Sequence, residues 1–179
     1  MLNQKEKKQL LNIAFKAIDV YISTGKHADL PKPVSDRLME HRGAFVTLKM
    51  HGILRGCIGT FIADKPLIDV VADMAREAAV EDPRFSPVVA EEVKDLEIEI
   101  SVLTPLQRVT DPKLIEVGRH GIFITRGFHS GVLLPQVATE YGMDRLEFLD
   151  QTCIKAGLPK GCWQDPDTII EVFEAEVFD

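Results

Sequence analysis

Ala44-Phe45-Val46-Thr47-Leu48-Lys49-Met50-His51-Gly52-Ile53-Leu54-Arg55-Gly56-Cys57-Ile58-Gly59-Thr60-Phe61 reads as two strand-like runs flanking His51-Gly52. Two residues is the spacing of a tight hairpin, so the two runs are expected to pair antiparallel. The second run carries two glycines beside a cysteine, where a strand prefers branched or aromatic residues. Such thinning implies a close approach to the backbone, by a ligand or by another part of the chain.

Outward from this hairpin, the apolar positions of residues 4–23 repeat at helical spacing and stop before Gly25. Residues 24–42 read as a loop, with a helical turn at 35–40. Asp64 as cap and Pro66 as first residue open a helix ended by Asp82-Pro83. A short helix is predicted from Ser86-Pro87 to Val93. Strict alternation of Leu96, Ile98, Ile100 and Val102 with polar residues predicts a strand with one face buried. A second hairpin is predicted at 122–134, a short helix from Pro135, an Asp144-capped helix through Ala156, and a last strand over 169–178.

Hairpins instead of crossovers favour an α+β fold with antiparallel sheets. Two lobes are expected, each an antiparallel sheet with helices. Residues 1–105 and 166–179 form the larger lobe and residues 106–165 a smaller inserted one, the final strand returning to the first sheet.

A chain of 179 residues can bury a full core, and its 45% apolar and 27% charged residues fit a globular protein. A net charge of −7 disfavours a phosphate-tracking surface, so no nucleic-acid partner is expected. Cys57, Cys153 and Cys162 show no close Cys-x-x-Cys pairing, and reduced thiols in a cytoplasmic protein are the simplest reading. No signal-like or membrane-spanning run stands out, so neither export nor a membrane is expected. Neither a cofactor nor a metal is implied, since His120 and His129 fit no familiar ligand spacing. Phosphate-cradling glycine loops, a Gly-x-Ser-x-Gly elbow and a His-Glu-x-x-His helix are missing.

Arg55 and Cys57 would project from one face of an extended strand, about 6.6 Å apart at ~3.3 Å per residue. A guanidinium there would favour the thiolate, making Cys57 a nucleophile or soft ligand; the alternative is a packed core thiol. Asp82-Pro83-Arg84-Phe85 offers acid, cation and aromatic in one loop, to line a pocket or to close a turn. His120 can serve as acid or base, or as a hydrogen-bonding surface residue. Gln136, Lys155 and Trp163 stand at element ends, where loops build sites.

Leu54-Arg55-Gly56-Cys57-Ile58-Gly59 resembles the hallmark hexapeptide of the AMMECR family, also called AmmeMemoRadiSam system protein A. The resemblance extends in order through Gly43-Ala44-Phe45-Val46-Thr47-Leu48, Asp82-Pro83-Arg84-Phe85, Leu133-Leu134-Pro135-Gln136-Val137, Lys155-Ala156-Gly157-Leu158 and Trp163. It implies a two-lobed α+β fold with both termini in the larger lobe and the hexapeptide on a strand facing a cleft. It implies no established reaction, but association with Memo-like and radical-SAM proteins. Two functions follow as expectations. One is a cleft that binds a peptide, protein partner or sizeable metabolite through Arg55, Gly56, Gly59, Asp82, Arg84, Phe85, Gln136 and Lys155. The other is a cysteine-dependent enzyme with Cys57 as nucleophile and His120 or Asp82 as proton carrier.

Overall fold

The computed structural model describes residues 1–179. Its elements run α1 (Gln4–Thr24), β1 (Ala44–Met50), β2 (Ile53–Thr60), α2 (Leu67–Val80), β3 (Leu96–Leu103), β4 (Gln107–Arg108), β5 (Gly121–Arg126), β6 (His129–Leu133), α3 (Pro135–Glu140), α4 (Arg145–Lys155), β7 (Ile169–Phe173) and β8 (Ala175–Phe178). The fold is α+β. Each of its two sheets has four strands, ordered β2-β1-β3-β8 and β4-β7-β5-β6. One compact unit comprises residues 1–103 and 176–179, the other residues 104–175.

In the first unit, α1 starts on a capping box. The Asn3 side chain accepts from the amides of Lys5 and Glu6, the Glu6 carboxylate accepts from the Asn3 amide, and Gly25 closes the helix at φ 68°. Its stripe of Leu10, Ile13, Ala14, Ala17 and Ile18 is buried, and α2 packs beside it and against β1 and β2. The resulting core joins Val46, Leu48, Ile100 and Val102 of the sheet to Leu67, Val71, Ala75 and Ala78 of α2.

His51 at φ 53° and Gly52 at φ 74° are both left-handed, the geometry of a two-residue hairpin turn whose twist matches its strands. The β1–β2 register then slips: Lys49 pairs with Leu54 but Leu48 with Gly56, so Arg55 is the extra residue of a β-bulge. Beyond it Thr47 faces Cys57 and Phe45 faces Gly59.

In the second unit, α4 also opens on a capping box, from Asp144 to Glu147. Its Phe148, Leu149 and Cys153 meet Ile122 and Ile124 of β5 and Ile170 and Val172 of β7 in a separate core.

Four local readings change. Asp64 makes no cap. The α2 N-terminus has no side-chain cap, and the Leu67 amide donates to the Glu40 carbonyl at 2.9 Å instead. No helix forms over 86–93, because the Ser86 and Pro87 carbonyls turn to Arg55; only a 3-10 turn follows at Val93–Asp95. The run 169–178 is two strands in different sheets, β7 pairing with β5 and β8 lying beside β3. The break falls at Glu174, whose carbonyl and amide both bond Thr104. Finally, Cys153 and Cys162 form a disulfide, with Cα atoms 5.9 Å apart. The end of α4 and the 3-10 turn Cys162–Gln164 bring together two thiols whose spacing fits no motif. Cys57 is the one free thiol, and the argument from reduced cysteines to a reducing compartment loses its footing.

Candidate functional site

β2 is an edge strand, and an edge leaves unpaired amides and carbonyls. At Cys57 both are taken by the loop after α2. The Cys57 amide donates to Asp82 Oδ2 at 2.9 Å, and its carbonyl accepts from Arg84 Nη2 at 3.4 Å. Arg84 also forks onto the carboxylate, Nε to Oδ1 at 3.0 Å and Nη2 to Oδ2 at 2.7 Å. Asp82 and Arg84 thus stand where a further strand would pair. Asp82 is only 4% exposed. The Arg84 hydrogen bond, aided by the Cys57 and Arg84 amides against the cost of burial, holds its carboxyl well below the usual range.

A folded-state pKa below the unfolded value, about 3.9, stabilises the protein fully above the unfolded value. That contribution is lost as pH falls through about 4 toward the folded pKa. Asp82→Asn is therefore expected to flatten part of the acid limb of stability below about pH 4 and to cost about 1.5 kcal/mol at neutral pH. Urea midpoints of both proteins across that range check it, and parallel curves would count against it.

Arg55 is bound still more fully. Nε and Nη2 grip the Glu92 carboxylate at 3.0 and 2.9 Å, while Nη1 and Nη2 donate to the Ser86 and Pro87 carbonyls at 2.9 and 3.3 Å. The pairing lowers the pKa of Glu92, with the Arg55 hydrogen bond the largest cause. Arg55 therefore straps the 86–92 loop onto β2.

The glycines admit parts of the same chain. A Cβ on Gly56 would lie 2.1 Å from the Ala78 carbonyl oxygen of α2, and one on Gly59 would lie 2.2 Å from the Phe45 ring. The Cys57 side chain is half-buried and accepts a hydrogen bond from Thr47 Oγ1 at 3.3 Å. The pKa of Arg84 is raised, first of all by its hydrogen bond to Asp82. The Arg84 side chain is 57% exposed, with its Cζ 5.5 Å from the centre of the half-buried Phe85 ring.

Arg55, Gly56, Cys57, Gly59, Asp82, Arg84 and Phe85 thus share one neighbourhood on the first unit. His120, Gln136 and Lys155 belong to the second. His120 Nδ1 accepts the Glu116 amide at 3.1 Å. Gln136 is exposed on α3, and Lys155 is exposed at the end of α4, on a groove of about 440 Å³ shared with Val137, Tyr141 and Ile154. Sequence reasoning missed Thr47 and Glu92. Thr47 was one bulge away from being found opposite Cys57; nothing local marks Glu92.

The AMMECR1 family profile matches residues 11–178. The chain is 46% identical to a protein of Methanothermobacter thermautotrophicus, over 99% of this chain and 95% of that one. It is 47% identical to MK0488 of Methanopyrus kandleri, over 99% and 90%. The crystal structure of the uncharacterized protein PH0010 from Pyrococcus horikoshii superposes with a TM-score of 0.81 at 42% identity, covering 98% of this chain and 92% of that one. No helix here is long and apolar enough to cross a membrane.

Proposed function

The chain belongs to the AMMECR1 family, and on that premise we propose that it is a binding protein whose β2 edge takes an anionic group of a peptide, protein partner or sizeable metabolite. The observation that carries this reading is Arg84. Asp82 anchors it through Nε and Nη2, while Nη1 bonds to nothing in the chain and the side chain stays largely exposed. A cation oriented by a buried carboxylate is pre-organised for a ligand carboxylate or phosphate at little further entropic cost. Phe85 adds an apolar contact beside it. Arg55 and Glu92 keep the loop in place, and Gly56 and Gly59 set its distance from α2 and Phe45.

Memo-like and radical-SAM proteins are the first partners to test. Wild type and Arg84→Gln, each shown folded by circular dichroism, are mixed with those two proteins from the same host. Recovery is expected to fall about tenfold or more with the variant. Equal recovery from both would remove Arg84 from the reading.

A second reading, a cysteine-dependent enzyme, draws on Cys57 as the free thiol, with the Thr47 hydroxyl donating to its sulfur and Arg84 Nη2 donating to its carbonyl. Cys57 is the one free thiol, so its alkylation by iodoacetamide is read cleanly by mass, and on this reading it is expected to run severalfold faster at neutral pH than that of a cysteine in an unstructured peptide. A wild-type rate no faster than that of a cysteine in an unstructured peptide retires Cys57 as nucleophile.

A further inference from the structure

β6 is an outer strand of the second sheet. Gly127, at φ 58°, opens the two-residue turn that joins it to β5 and makes Arg126 and His129 the closing pair. Antiparallel pairs alternate between exchanging backbone bonds and facing without them, so His129, Gly131 and Leu133 bond β5. Ser130 and Val132 turn their amides and carbonyls outward, and no hydrogen bond within the chain reaches any of these groups. The β2 edge is blunted by Asp82 and Arg84, whereas this one is bare.

Beside the bare edge lies the groove of about 440 Å³. A Cβ on Gly131 would fall 2.3 Å from the Ala156 amide nitrogen, so the end of α4 crosses β6 on that face. Leu133, two residues on, points the same way and forms one wall of the groove. Val137 and Tyr141 from α3 and its cap form another, and Gln151, Ile154 and Lys155 along one stripe of α4 form the third. Tyr141 and Ile154 are 74% and 46% exposed, large apolar groups that the chain leaves uncovered. Lys155 is the one charge on the lining, and no acid of the chain pairs with it.

We propose that β6 takes an extended peptide segment of a partner protein as an added strand, its alternate side chains entering this groove and an acidic residue meeting Lys155. Backbone chemistry sets the class. Outward amides and carbonyls at strand spacing match another extended backbone, a pattern that neither a nucleic acid nor a lipid headgroup reproduces. The groove sets the side chains. In a strand laid on β6 every second residue faces the α4 side, so apolar residues two apart enter the groove, whose volume suits them. This surface belongs to the second unit, whereas Arg84 belongs to the first.

A phage-displayed library of random dodecamers, selected on the wild-type protein, supplies the probe, and the most enriched peptide is synthesised for titration calorimetry. Its sequence is expected to carry apolar residues at alternate positions with an acid beside them. Val132→Pro removes an outward amide without touching a β5 bond, and it is expected to weaken binding about tenfold or more. Ile154→Glu, at the exposed rim of the groove, is expected to do the same. Saturating peptide is expected to slow hydrogen exchange at the Ser130 and Val132 amides about tenfold. No enriched sequence, or unchanged exchange at those two amides, overturns the proposal even if Val132→Pro fails to fold. So does a peptide lost with Arg84→Gln but kept by Ile154→Glu, which would sit at β2. A concentration-dependent dimer in light scattering that Ile154→Glu abolishes also overturns it, by giving this face to a second copy of the chain.

Discussion

Reducing the Cys153–Cys162 bridge is expected to cost the second unit about 2.5–3 kcal/mol, the unfolded-chain entropy released when a loop of roughly ten residues opens. The folded geometry has reason to survive the loss. Both sulfurs sit in the core, the Gly161 amide and Trp163 Nε1 both bond Asp150 Oδ1, and Thr168 Oγ1 bonds the Cys162 carbonyl. The cost therefore falls mainly on the unfolded side. Trp163, the one tryptophan and half-buried next to Cys162, reports this unit directly. Its urea transition should move down by about 1–2 M on reduction. Coincident transitions of oxidised and reduced protein would show that the bridge contributes nothing.

Gly56→Ala should cost about 3 kcal/mol, at the upper end for overpacking. Its added methyl would meet the Ala78 carbonyl oxygen at 2.1 Å, and backbone on that side cannot swing away as a side chain would. Relief requires β2 to part from α2, which pulls Cys57 from Asp82 and Arg55 from Glu92. Faster amide exchange at Cys57 is the sensitive readout, alongside the unfolding midpoint. Gly52→Ala is the contrast: at φ 74° with open space around it, it bears only the left-handed backbone penalty of about 1 kcal/mol. Equal losses at the two positions would refute the close-approach account of Gly56.

Much of the fold was legible because it rests on local chemistry. The period of α1 and its Gly25 stop, the two-residue turn at His51-Gly52, the alternation in β3 and the Asp144 cap each act within a few residues. Where partners lay far away, local reading failed. The α2 N-terminus is satisfied by Glu40, not Asp64. The 86–93 segment gives its carbonyls to Arg55, 31 and 32 residues distant, and does not close a helix. The break at Glu174 depends on Thr104, 70 residues earlier.

The candidate site divides along the same line. Its residue types and their neighbours in sequence were plain: a thiol, two glycines and an arginine in one strand, an acid and a second arginine in one loop. Their roles were not. An unbulged hairpin would have set Thr47 opposite Gly56; the extra residue at Arg55 shifts the register by one and places the Thr47 hydroxyl on Cys57 instead.

By itself, then, the sequence determined the antiparallel α+β fold and the hairpin strand that carries Cys57, because periodicity, caps and turns are written in adjacent residues. Tertiary structure alone decided that Arg84, not Arg55, is the cation left open beside Cys57, and that Cys153 meets Cys162. Which acceptors a guanidinium reaches, and which sulfurs touch, depends on chain segments that only folding brings together.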